Sequence, residues 1–176
     1  MKLVLMGLRG SGKSTLGGRL ALEHGLRFID LDERTPAVLG ARTVAEAWAR
    51  FGEPAFREAE VRALKAAIAE DPGVLALGGG TPTAPGAVEI IRGLKGKAGT
   101  VRVVYLRASA AVLGARLKAS GMAGRPSLTG ADPIGEVAAV LAARDPLYVS
   151  LADVVVDVGG VSERESLAEL AALLAD

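Results

Sequence analysis

The chain has 176 residues, half of them apolar, with 21 Lys and Arg against 20 Asp and Glu. That suffices for one domain with a sizeable core and leaves no global charge footprint for nucleic acid or an anionic membrane. With no cysteine and a single histidine, disulfides, thiolate metal sites, cysteine nucleophiles and multi-histidine metal sites are excluded.

The first predicted element is an apolar strand from Lys2 to Met6, so no leader is expected before it; no apolar run approaches membrane-span length. A cytoplasmic protein is therefore expected, with a monomer as the default. A glycine-rich turn and a helix from Lys13 to Glu23 come next, then a second strand from Arg27 to Asp30. Thr43 and Glu46 have capping-box spacing and open a helix predicted to reach Phe51. A third strand, Val74 to Leu77, runs into Gly78-Gly79-Gly80, and a fourth spans Val101 to Leu106. Ser120 to Gly130 is poorly periodic and reads as a loop. Asp132-Pro133 resembles an N-cap followed by proline at the first helical position, opening a helix towards Arg144. A fifth strand, Val154 to Val158, precedes a last helix whose start pairs Ser162 with Glu165 and whose Leu167, Leu170 and Leu174 share one face. Strands alternating with helices, and near-continuous apolar character in Val103-Val104-Tyr105-Leu106, predict a single α/β domain over 1–176. It is a three-layer sandwich with a five-stranded parallel sheet between helices.

Gly7-Leu8-Arg9-Gly10-Ser11-Gly12-Lys13-Ser14 fits the P-loop pattern in full and lies between a strand and a helix. Glycines let successive N–H groups point at phosphate oxygens, and the helix adds the positive end of its dipole. Gly10 through Thr15 are thus candidate nucleotide contacts, with Lys13 reaching the terminal phosphates and the Ser14 hydroxyl on Mg²⁺. Arg9 occupies a position that the pattern leaves open and reads as a solvated loop-tip side chain. Asp30 and Asp32 fall at the end of the second strand, where period-two spacing would aim both at one side. One acidic group near Mg²⁺ and one accepting a hydroxyl proton is what phosphoryl transfer to an alcohol requires. The glycine triplet ends at the same sheet edge, where a ligand could approach the backbone closely. Arg57 and Arg144 could turn inward as a bidentate carboxylate clamp, although spacing alone reads most helix arginines as solvated.

In order and approximate spacing, the P-loop, Asp30-Leu31-Asp32, Phe56-Arg57-Glu58, the glycine triplet, Arg125-Pro126 and Arg144 before Pro-Leu-Tyr resemble the shikimate kinase family over nearly the whole chain. That resemblance implies a P-loop NTPase fold with sheet order 2-3-1-4-5, and transfer of the ATP γ-phosphoryl group to the 3-hydroxyl of shikimate. It also implies a substrate-binding helical region over about 31–62 and a lid over about 119–131. By position, it makes Asp32 the candidate base, Asp30 a support for Mg²⁺ through water, and Arg57 and Arg144 the carboxylate clamp. Gly78, Gly79 and Gly80 would line the ring, Arg125 would close over the phosphates, Arg116 would pack on adenine, and Trp48 and Phe56 would wall the pocket. The chain departs from the family at Ser127, where an apolar residue is usual, and in Gly159-Gly160-Val161-Ser162, which lacks a proline often found in the adenine loop. Other small P-loop kinases, for gluconate or a nucleoside monophosphate, leave the paired arginines unexplained. A GTP-dependent switch needs an Asn-Lys-x-Asp motif, and the chain has neither Asn nor Gln.

Overall fold

The computed structural model describes residues 1–94, 101–120 and 136–175. Five strands, β1 (Leu3–Met6), β2 (Phe28–Asp30), β3 (Val74–Ala76), β4 (Arg102–Arg107) and β5 (Val154–Asp157), form one sheet in the order β2-β3-β1-β4-β5. Every adjacent pair is parallel, Val4 standing opposite Leu75 on one side and Val103 on the other. All four residues of β1 and all three of β3 are buried, as expected of central strands covered on both faces. The core continues from these strands into Leu16 and Leu20, Leu64 and Ala67, Leu113 and Leu117, and Tyr148 and Leu151.

The helices are α1 (Lys13–Glu23), α2 (Leu31–Val38), α3 (Val44–Ala69), α4 (Ala87–Arg92), α5 (Ala110–Ala119), α6 (Val137–Leu151) and α7 (Glu163–Ala175). The helix predicted from Thr43 to Phe51 is the first part of the longer α3. Gly52 breaks it with φ 73° and ψ 176°, and Pro54 is tolerated because it falls in the first turn of the resumed helix. The Ser162–Glu165 capping box forms in full, whereas at Thr43 the hydroxyl caps but the Glu46 carboxylate accepts from the Arg42 N–H, one residue before the cap. Glu46 N–H donates to Thr43 Oγ1 at 3.1 Å, and Glu165 N–H donates to Ser162 Oγ at 3.2 Å. Helix α6 runs past Arg144 and through Pro146 to Leu151; Asp132-Pro133, its predicted start, lies outside the described residues.

The P-loop after β1, Asp30 at the end of β2 and the glycine triplet after β3 all emerge at the carboxyl rim of the sheet, where ligands gather in open parallel sheets.

Candidate active site

Between β1 and α1 the chain turns through Gly10 (φ 83°) and Gly12 (φ 91°), left-handed conformations that glycine adopts without steric cost. The first turn of α1 holds no acidic residue, so nothing there competes with an anion for its N–H groups. Lys13 is buried, and its ammonium bridges the carbonyls of Gly7 (2.9 Å) and Leu8 (3.1 Å) across the loop. Gly10, Ser11, Gly12, Lys13, Ser14 and Thr15 line one cleft together with Asp32 and Arg116. Arg116 donates from Nη2 to the carbonyl of Val158 at 2.6 Å, which ties α5 to the turn after β5. Within this loop the Ser11 hydroxyl is fully buried and has no hydrogen-bond partner among the described residues. Ser11→Ala removes that desolvated group and is expected to raise stability by about 1 kcal/mol, on the low side of the cost of an unsatisfied polar atom. Thermal unfolding of the ligand-free protein checks it; an unchanged or lowered Tm contradicts it.

The two aspartates divide their work differently from the strand reading. The strand stops at Asp30, which caps α2 by accepting the Asp32 N–H on Oδ1 at 2.8 Å. Asp32 therefore stands on the first turn of a helix and not on an extended strand. The other oxygen of Asp30 accepts from the Ser14 hydroxyl. This leaves a hydroxyl and a carboxylate oxygen, both hard donors, side by side at the start of α1. Among the described residues, no group of three or more His, Cys, Asp or Glu could hold a metal. The donor set thus fits an ion such as Mg²⁺, which takes most of its shell from phosphates and water.

A second cleft adjoins the first. Its lining includes Asp32, Trp48, Phe56, Arg57, Gly79, Gly80 and Arg144. Arg57, on the resumed part of α3, is buried. Its Nη1 meets Glu60 at 2.6 Å, its Nε and Nη2 share one oxygen of Glu53 at 3.2 Å, and its guanidinium carbon lies 5.3 Å from the centroid of Trp48. Trp48 and Phe56 meet across the Gly52 break, ring centroids 5.3 Å apart. Arg144 reaches in from α6 and donates to the Gly79 carbonyl at 3.0 Å. Gly79 and Gly80 line this cleft, and a Cβ on Gly80 would run into the Arg57 guanidinium. Gly78 is not part of this lining, and a Cβ on it would run into the side chains of Asp32, Glu60 and Thr81. Asp32 and Arg9 border both clefts, so Arg9 is a part-buried residue at the junction and not a solvated loop tip. Two arginines, an aspartate and bare backbone thus converge beside a phosphate loop. Arg125, Ser127 and nearly all of the expected lid lie outside the described residues.

A sequence model of shikimate kinases matches residues 9–175. The chain belongs to the shikimate kinase family. It is 44% identical over 156 residues to the shikimate kinase of Mycobacterium avium strain 104, an alignment covering 89% of this chain and 83% of that one. The solved structure of shikimate kinase from Acinetobacter baumannii in complex with shikimate superposes with a TM-score of 0.83 at 27% identity, over 99% of this chain and 92% of the other. A gluconokinase from Sinorhizobium meliloti 1021 shares the fold at a TM-score of 0.52 and 22% identity, covering 99% of this chain and 91% of that one.

In this member of the shikimate kinase family, sequence alone gives no role to Glu53, Glu60 or Tyr148, the last named only within the Pro-Leu-Tyr run after Arg144. Glu60 is buried, hydrogen-bonded to Arg57 and to Thr81 Oγ1 (2.9 Å), and desolvation raises its pKa against the lowering pull of Arg57. Its signal was available: Glu60 follows Arg57 by three positions on a helix, the spacing at which side chains meet. Tyr148, one helical turn after Arg144, donates to the same Gly79 carbonyl at 2.5 Å.

Proposed function

We propose that this protein transfers the γ-phosphoryl group of ATP to the 3-hydroxyl of shikimate, giving 3-phosphoshikimate and ADP. The observation that carries the reading is the junction itself: Asp32 borders both the phosphate cleft and the cleft holding Arg57 and Arg144. Phosphoryl transfer needs positioning and charge neutralisation more than covalent participation by the protein. In this reading the backbone of Gly10 through Thr15 and the Lys13 ammonium hold the triphosphate, while Arg116 flanks the base. Mg²⁺, when bound, neutralises charge on the phosphates, held through Ser14 and, by way of water, Asp30. Arg57 and Arg144 take the acceptor's carboxylate; because gluconate also bears that group, the pair does not by itself set gluconate aside, contrary to the expectation from sequence. Gly79 and Gly80 admit the ring against bare backbone, and Trp48 and Phe56 close its apolar side. Asp32 accepts the proton of the 3-hydroxyl as its oxygen bonds to the γ-phosphorus and the bond from that phosphorus to the β–γ bridging oxygen breaks, so ADP leaves. Arg125, from the lid segment, is the candidate for charge on the transferring group. The protein comprises one domain, with the acceptor held by the 31–62 region and the lid drawn from about 119–131. It acts as a cytoplasmic monomer on two small molecules, without a nucleic-acid or membrane partner.

The test is ADP release from ATP and Mg²⁺ in the presence of shikimate, gluconate, a nucleoside monophosphate or no acceptor, with the product identified by phosphorus NMR. Turnover with shikimate should exceed that with the nucleoside monophosphate by at least about 100-fold, the scale set by a buried carboxylate clamp, and should exceed that with gluconate through the fit of the ring against Gly79 and Gly80. Faster turnover of gluconate would replace this reading.

A further inference from the structure

The Gly79 carbonyl accepts from two donors on α6, Arg144 Nη1 at 3.0 Å and Tyr148 Oη at 2.5 Å. Only Arg144 lines the acceptor cleft. Tyr148 is fully buried, and its ring stands edge-on to that of Tyr105 with centroids 5.2 Å apart and an angle of 71°. Burial raises its pKa against the lowering pull of the adjacent Arg144, so the phenol keeps its proton at neutral pH and donates it to the Gly79 carbonyl. The helix is pinned beside Arg144. Asp145 accepts from Tyr105 Oη at 2.8 Å and from Arg107 Nε and Nη2 at 2.9 and 2.8 Å. These contacts tie α6 to β4 without involving Arg144, and the Tyr148 phenol ties the same helix to the glycine segment.

A carboxylate arriving at Arg144 competes with the Gly79 carbonyl for the same guanidinium. If Arg144 were the carbonyl's sole donor, turning to the ligand would strip a polar group at the cleft wall of its partner, and a lost partner of that kind opposes binding. Tyr148 removes the conflict: its phenol, which also interacts directly with the Arg144 guanidinium, has its own O–H on the carbonyl and can keep it there when the guanidinium turns to the ligand. We infer that Tyr148 is a positioning residue that releases Arg144 to bind the acceptor's carboxylate, and thereby sets the preference for carboxylated over neutral acceptors. The inference rests on the acceptor reading given above and deepens it.

Trp48, the chain's single tryptophan, lines the cleft over Arg57 and gives a binding signal that does not depend on turnover. Fluorescence titrations compare shikimate with its neutral carboxamide in wild type and in Tyr148→Phe, a change of one oxygen atom. The variant is expected to bind shikimate about 10-fold more weakly, as for one lost charge-assisted hydrogen bond. It should bind the carboxamide within about 2-fold of wild type and leave KM for ATP unchanged. Tyr148→Met, a second donor-free variant, carries the same expectation should the phenylalanine variant fail to accumulate. Equal losses for both ligands, or no loss for shikimate, would overturn the inference alone. Wild-type protein that binds neither ligand would overturn it together with the acceptor reading.

Discussion

Asp32→Asn is expected to lower kcat about 1,000-fold, within the range that a positioned general base contributes, with KM for ATP changed by less than about 2-fold. The amide keeps the size of the side chain and the helix turn on which it stands but cannot take up the hydroxyl proton. Asp30 remains to cap α2 through the Asp32 backbone N–H, an interaction that does not use the Asp32 side chain. Because Asp32 borders both clefts, the loss should fall on the transfer step, and single-turnover measurement at saturating ATP and acceptor reads that step directly. A variant retaining a tenth or more of wild-type turnover would remove Asp32 as the base.

Arg57→Ala should be costly twice. The guanidinium is the ionic partner of Glu60, whose side chain is 3% exposed, and breaking a buried pair leaves an uncompensated charge at a cost of about 3–5 kcal/mol. It should also raise KM for shikimate about 100-fold or more, since the carboxylate loses half of its clamp. The stability deficit has a pH signature. In wild type, burial raises the Glu60 pKa and Arg57 opposes that rise; without Arg57 the folded-state value climbs further. Between that raised value and the ordinary glutamate value of 4.5, the folded variant binds a proton that the unfolded chain does not, so its stability increases as pH falls through this window. Unfolding at pH 7.5 and pH 5.5 checks the sign. A deficit that is unchanged or deepens towards pH 5.5 would mean that Glu60 is not left as a buried charge.

The parts of this architecture legible in the sequence are those whose chemistry is contiguous. The P-loop reads directly because its ligands are successive backbone groups, and β1 reads because a strand covered on both faces must be apolar throughout. Asp32 was misplaced by one element because period-two logic assumes the strand continues. The carboxylate of Asp30 instead ends it by capping the helix that starts at Leu31. The local signals ended the first part of α3 at Phe51 and left its continuation to the helical region over about 31–62 that the resemblance implies: Gly52-Glu53-Pro54 carries breaker signals, yet a proline in a first turn costs the resumed helix no hydrogen bond. Whether Arg57 and Arg144 face solvent or a cleft is not a local property. It depends on α3 and α6 both meeting the glycine segment after β3, which pairwise spacing within either helix does not encode.

The closeness of Gly80 to the Arg57 guanidinium makes two positions far apart in the chain one heritable unit. A methyl group at residue 80 and an inward arginine at residue 57 contend for the same space, so a side chain can enter at 80 only if the arginine shifts or is lost. Selection on a glycine with no side chain to offer is in this way selection for a cation elsewhere.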